Sequence, residues 1–245
     1  EELEKDIGID IVIGNNKKSE ILTILSEYIN ENPVIDNYVD INTENNYEEF
    51  HLSQINDHTR AYVKIQDGCN QFCSYCIIPY VRGRVRSRSM EDIYSEIEVL
   101  VSKGIKEVVL TGIHISSYGI DFSDKISLVD LIECISSIEQ LKRIRIGSLE
   151  PRIVTEEFVK IISGNPKVCP HFHLSLQSGC NETLLRMNRK YTIEEYKNSC
   201  DILRRFYHKP AITTDIIVGF PGETQEEFAT TLKWLQVLNL YEMHV

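Results

Sequence analysis

Residues 67–76, "DGCNQFCSYC", place Cys69, Cys73 and Cys76 at C-x3-C-x2-C spacing. Three thiolates on so short a stretch are soft ligands, suited to an iron-sulfur cluster or to zinc. A structural zinc site calls for a fourth Cys or His, normally from a second pair at matching spacing, and none stands nearby. A redox C-x-x-C needs only two cysteines. A cubane [4Fe-4S] cluster ordinarily takes four thiolates, so three leave one iron open to a ligand from outside the protein. Cys134, Cys169, Cys180 and Cys200 lack partners at ligand spacing, and Cys134, on a helical stripe with Leu131, Ile135 and Ile138, is expected as a small core residue.

These cysteines need a scaffold, and the chain from residue 61 repeats one pattern: a short β-branched run, a loop, an amphipathic helix. Strands are predicted at 61–66, 106–111, 143–147, 171–176 and 211–218, with the start of a sixth in "YEMHV". Between them Ile93, Ile97, Leu100 and Val101 form a helical stripe after Ser89. Thr192 with Glu195 and Thr224 with Glu227 have capping-box form. Strands alternating with helices imply a parallel sheet, either wound both ways as an open sheet or curled one way into a barrel. Both designs gather ligands at the C-terminal strand ends, where the cysteine motif lies.

Residues 9–30 read as a strand, a Gly-Asn turn and a helix carrying Ile21, Ile24, Leu25 and Ile29, and residues 31–59 as an acidic linker. The boundary falls near residue 60. At 245 residues, 42% hydrophobic and 26% charged, the chain has the make-up of a globular protein with one sizeable core. No run of apolar residues is long enough for a membrane span, no secretory signal stands at the start, and clustered thiols fit a reducing compartment such as the cytoplasm. The net charge of -11 is uneven: residues 1–60 hold 14 acidic and 4 basic side chains, residues 61–245 hold 23 and 22. Acidity therefore does not exclude a nucleic-acid partner. In "RGRVRSR", Arg82, Arg84, Arg86 and Arg88 recur at every second position, which in an extended segment aligns them on one face suited to RNA.

The C-x3-C-x-aromatic-C form, with Tyr75 as the aromatic, resembles the signature of radical S-adenosylmethionine (SAM) enzymes. "DGCNQFCSYCIIPYVRGRVRSRS", "TGIHISSYGID", "RIGSLEP", "HLSLQSG", "MNRKYT" and "DIIVGFPGET" together resemble the methylthiotransferases within that family. "TGIHISSYG" is most similar to the branch acting on threonylcarbamoyladenosine beside the tRNA anticodon. Other branches act on isopentenyladenosine or on a ribosomal-protein aspartate; a non-catalytic, zinc-stabilised RNA-binding module is the reading from a different class.

The resemblance implies a partial (βα)6 radical SAM barrel over residues 60–245, truncated in its sixth strand and preceded by a remnant of an N-terminal α/β domain. It implies a [4Fe-4S] cluster on Cys69, Cys73 and Cys76 that cleaves SAM to a 5'-deoxyadenosyl radical, which takes hydrogen from carbon 2 of the modified adenosine before a methylthio group is attached. SAM contacts are expected from Tyr75, Gly112, Ser148, Glu150, Gln177, Arg189 and Gly219; substrate contacts are expected from Arg82, Arg84, Arg86, His114 and Tyr118. A second [4Fe-4S] cluster belongs to the family's N-terminal domain, and residues 1–60 contain no cysteine to hold it. Expected partners are tRNA, an electron donor of flavodoxin or ferredoxin type, and a sulfur donor.

Overall fold

Ala61, Val63 and Ile65 alternate with Tyr62, Lys64 and Gln66 along the first strand, and the first set is wholly buried against helices. The computed structural model describes residues 8–30, 41, 47, 48 and 59–245. In chain order its elements are α1 (Ile21–Ile29), β1 (Arg60–Asp67), the short α2 (Ile78–Val81), β2 (Arg86–Ser87), α3 (Met90–Ser102), β3 (Glu107–Gly112), α4 (Leu128–Ser136) and β4 (Arg143–Ile146). They continue through α5 (Glu156–Ser163), β5 (His171–His173), α6 (Asn181–Arg186), α7 (Ile193–Phe206), β6 (Ala211–Asp215), α8 (Gln225–Leu238) and β7 (Glu242–His244).

β1 pairs in parallel with β3, and β3 with β4, in registers such as Ala61 with Val108 and Val108 with Ile144. β5, β6 and β7 form a second parallel set. Parallel bridges Ile144–Val168 and Leu149–Leu174 join the two sets. The long strands are thus neighbours in sequence order, which answers the open alternative: a sheet wound both ways would place its first strand in the middle, whereas this one curls in one direction as a partial barrel.

Four expectations are corrected. The sheet is mixed, because β2 lies antiparallel on the C-terminal end of β1, pairing Gln66 with Ser87 and Asp67 with Arg86. β5 and β6 end at His173 and Asp215, short of the predicted 176 and 218; only isolated bridges continue the ladder there, among them Gln177 with Ile216. Residues 9–13 form no strand. Cys134 is only half-buried, while its neighbours Leu131 and Ile135 are fully buried. Most of the predicted linker lies outside the described residues.

Helix starts follow their caps. Thr192 and Thr224 each accept from the backbone N–H three residues on, and Glu195 and Glu227 reach back, as their spacing predicts. Ser89 caps α3, whose Ile93, Ile97, Leu100 and Val101 enter the core with Val63, Leu110 and Ile132. Each such side chain contributes roughly 1.5–3 kcal/mol by leaving water. Among the described residues no helix is long and apolar enough to cross a membrane.

Candidate functional site

The cysteine loop leaves β1 at its C-terminal end and is tied down on both sides. On one side Cys69 N–H donates to the Gly83 carbonyl at 3.0 Å, and Val85 N–H donates to Asn70 Oδ1 at 3.2 Å. On the other, Ser74 N–H donates to the Met187 carbonyl, Ser74 Oγ to that of Arg186, and Asn188 Nδ2 to that of Phe72. Gly68 permits the turn, with φ +70° and no space for a Cβ. Cys69 and Cys73 are buried and Cys76 half-buried. Burial pushes the Cys69 thiol pKa up, with the Gln71 N–H on its sulfur working the other way.

Arg189 reaches the loop after α6, and its Nη1 donates to Cys73 Sγ at 3.2 Å. Its Nε donates to Tyr191 Oη at 3.0 Å, and its guanidinium lies over the Tyr191 ring. Tyr191 is fixed in turn to the carbonyls of Ser175 and Leu176. Burial opposes the Arg189 charge, but Tyr191, Cys73 and Tyr75 outweigh it and hold its pKa above the ordinary value. Burial also drives Tyr75 up to about 12, and its ring meets Phe220 edge-on, beside Gly219.

Two polar atoms at the neighbouring strand ends have no hydrogen-bond partner: His114 Nε2 and Glu150 Oε1, both buried. His114 is held by its own N–H to Gln66 Oε1 at 2.7 Å and by Nδ1 against Ser117 Oγ at 2.6 Å. Burial, followed by the charge of Arg189, lowers its pKa to about 4, so the ring is neutral at physiological pH. Burial raises the Glu150 carboxyl, with Arg152 and Arg189 pulling it back. The unpartnered Glu150 oxygen near the Arg189 guanidinium suits a polar ligand that carries both charges. The amino and carboxylate groups of SAM's methionine part meet that description, and three thiols on one loop suit a cubane that leaves one iron to an outside ligand. Among the described residues no three His, Cys, Asp or Glu side chains stand close enough together to hold a single metal ion.

The remaining predicted contacts sit at the ends of successive strands. Gly112 ends β3, where a Cβ would come within 2.8 Å of Ile115 and 2.9 Å of the Gln66 carbonyl. Ser148 is exposed after β4. Gln177 stands at φ +71° and bridges to Ile216. Gly219 N–H donates to Glu223 Oε2.

The arginine face does not form. Arg82 closes α2 in helical conformation, Gly83 reverses the chain at φ +71°, and only Arg86–Ser87 is extended. Arg82 makes a two-point ion pair with Asp67, Arg86 is buried near the same carboxylate, and Arg88 is buried against Glu96. Arg84 alone of the four stays exposed. Tyr118 also departs from its expected substrate contact: it is buried, and its hydroxyl donates to the Arg88 carbonyl at 2.9 Å, bracing β2. Sequence reading missed Gln66, whose side chain joins Asp67, Gly68 and His114, and the His173–Asp215 pair at 3.2 Å on β5 and β6. Alternation in "HFHLSL" and "TTDII" was the available signal for that pair.

A one-way-wound α/β barrel with three thiols on its first strand-end loop defines a class of cluster-binding proteins. Residues 63–235 match the model of the Radical SAM superfamily, and the chain belongs to that family. It is 40% identical over 238 residues to threonylcarbamoyladenosine tRNA methylthiotransferase MtaB of Bacillus subtilis, covering 97% of this chain and 53% of the relative. To the protein of that name from Aquifex aeolicus it is 39% identical, covering 100% and 59%. To tRNA-2-methylthio-N(6)-dimethylallyladenosine synthase of Lachnoclostridium phytofermentans it is 48% identical over 173 residues, covering 71% and 38%. The chain spans about half the length of such relatives. In fold it is similar to the radical SAM methyltransferase TsrM of Kitasatospora setae, at TM-score 0.63 and 18% identity over 75% of this chain and 35% of that one.

Proposed function

We propose that this chain carries the radical-generating core of a tRNA methylthiotransferase, with a [4Fe-4S] cluster on Cys69, Cys73 and Cys76 and SAM at the remaining iron. The observation that carries the reading is the clamped three-thiol loop with Arg189 on Cys73 and the unpartnered atoms of His114 and Glu150 beside it. When bound, the cluster and SAM supply an adenosyl radical. The chain's own part is to hold and orient. Arg189 and Glu150 take the charged end of SAM; Gly112, Ser148, Gln177, Tyr75 and Gly219 shape the rest of the cradle, while Arg84 and His114 face the RNA. Arg82, Arg86 and Tyr118 support the loop instead.

The substrate we assign is carbon 2 of threonylcarbamoyladenosine in tRNA. Its support is "TGIHISSYG" together with two so-named relatives that match 97% and 100% of the chain. A second reading, dimethylallyladenosine, is favoured by the higher identity of the shorter match. In the whole protein, residues 1–59 would belong to the N-terminal domain, and an electron donor and a sulfur donor would complete turnover.

Two measurements test this. Anaerobic reconstitution with iron and sulfide is expected to give about four irons per chain, the content of one cubane, and Cys76→Ala is expected to lose them. A single zinc per chain supports the binding-module reading instead. Mass spectrometry of tRNA from cells lacking the full-length gene is expected to show threonylcarbamoyladenosine without its methylthio group. Loss from dimethylallyladenosine instead selects the second reading, and an unchanged tRNA overturns both.

A further inference from the structure

At the cysteine loop, three side chains form a stack whose rings and guanidinium neither the thiols nor the core use. The Arg84 guanidinium lies over the Phe72 ring, 4.5 Å from its centroid, and Tyr80 meets the same ring edge-on at 5.6 Å and 81°. Tyr80 is 64% exposed, and Ile77 and Val81 beside it are also open to solvent.

Arg84 differs from its neighbours in what it pairs with. Arg82 and Arg86 face Asp67, and Arg88 faces Glu96, whereas no carboxylate among the described residues lies within ion-pair reach of Arg84. Lys190 is similar. Its Nζ donates to Asn188 Oδ1 at 2.6 Å, and Asn188 holds the Phe72 carbonyl. Among the described residues, two cations without a carboxylate partner therefore stand at the half-buried Phe72 ring and at the Asn188 that holds the Phe72 carbonyl, in a chain of net charge -11.

Phe72 also occupies the left-handed region at φ +51°. That conformation is costly for a bulky residue and persists only where the surroundings enforce it, here through the Asn188 hydrogen bond. The fold thus holds this ring under the guanidinium rather than letting the loop relax.

The geometry points to a stacking platform, made by Phe72, Tyr80 and Arg84, for an unpaired RNA base, with Lys190 placed for an adjacent phosphate. Unpaired bases stack on aromatic rings and on arginine planes, and uncompensated cations draw the phosphodiester. The inference rests on the tRNA reading above and deepens it: beyond the reacting nucleotide, the chain would grip a neighbouring splayed base. A protein partner would cover the rings, but it gives no account of two cations that have no carboxylate partner among the described residues.

The test uses fluorescence anisotropy with the whole chain and two fluorescein-labelled RNAs, a hairpin with an unpaired loop and the blunt duplex of its stem. Wild type is expected to prefer the hairpin. Arg84→Ala and Tyr80→Ala are each expected to weaken hairpin binding roughly tenfold. Arg84→Lys, which keeps charge but loses the planar face, should fall almost as far, and duplex binding should not respond to Tyr80→Ala. Both sites are exposed, and circular dichroism checks that the variants fold. Hairpin affinity unchanged in both alanine variants overturns the platform and leaves the tRNA reading standing, whereas a wild type that binds neither RNA overturns both. Arg84→Lys equal to wild type reduces the site to plain charge and rejects stacking. A change in oligomeric mass without a change in RNA affinity assigns the patch to protein contact and also rejects it.

Discussion

Asp67 and Arg82 form a two-point ion pair, Nε to Oδ1 at 3.0 Å and Nη2 to Oδ2 at 2.9 Å, that ties the arginine segment to the first residue of the cysteine loop. The same carboxylate accepts the Gly68 N–H at 2.8 Å and the Lys64 ammonium at 2.6 Å. Burial works to raise the Asp67 pKa, but the hydrogen bonds from Arg82 and Lys64 outweigh it and leave the value lowered. A carboxyl lowered in the folded state contributes stability above its unfolded pKa and loses it as pH falls through the folded one. Asp67→Ala is therefore expected to cost about 3 kcal/mol at neutral pH, since it strands the buried Arg86 guanidinium, and to cut iron retained after reconstitution severalfold. Arg82→Ala, at a partly exposed site, should cost only about 1 kcal/mol. Denaturant unfolding and iron assays check both, and an Asp67→Ala protein with wild-type stability and iron content refutes the clamp.

Arg88 and Glu96 form a second ion pair, buried on both sides, between the end of β2 and α3. Removing one partner leaves a charge in the core, so Glu96→Ala is expected to destabilise by about 3–5 kcal/mol. A joint Arg88→Met, Glu96→Leu replacement fills the space without charge and should regain most of that loss. RNA affinity of the double variant should equal that of wild type, because Arg88 never reaches solvent. Failure of the double variant to recover, by denaturant unfolding, would mean that the pair supplies more than charge balance.

At Gly68 a Cβ would lie 1.8 Å from the Arg84 carbonyl oxygen, and φ is +70°. Gly68→Ala must move the 82–86 segment or the cysteine loop. The left-handed φ adds roughly 1–2 kcal/mol to that clash. The expected result is a protein that keeps its helical circular dichroism, since the core lies elsewhere, but no longer assembles a cluster. Gly104→Ala, at φ +98° with open space around it, is the matched control: strained backbone without a clash, and iron uptake retained.

Much of this was legible in the sequence because it depends on local pattern. The stripe from Ile93 to Val101, the threonine caps at Thr192 and Thr224 and the three cysteines at the end of β1 are set by spacing, and the structure keeps them. What spacing could not supply was long-range compensation. Asp67 and Glu96 lie 15 and 8 residues from the arginines they neutralise, so alternation in "RGRVRSR" resembled an open cationic face. Gly83 then broke the alternation by reversing the chain. Tyr118 follows β3 in the chain, but its orientation follows from a carbonyl 30 residues away. The strand proposed at residues 9–13 had the right residue types and no neighbouring strand to pair with among the described residues.

His114 supplies a prediction with a definite sign. Its pKa is lowered from 6.5 to about 4, first by burial and second by the charge of Arg189. Between those values the unfolded chain binds a proton that the folded one refuses, so folding stability rises with pH across the window and falls on acidification. At about 1.4 kcal/mol per unit, moving from pH 6.5 to 5 should remove at most about 2 kcal/mol through this residue. His114→Asn keeps a polar group for Ser117 and cannot titrate. Urea midpoints for both proteins at pH 7 and pH 5 isolate the effect, because every other group titrates alike in the two. Wild type is expected to lose more stability than the variant on acidification; equal losses would show that the His114 ring is free to take a proton in the folded state, and the neutral imidazole assigned to the RNA-facing side of the site would have to be abandoned.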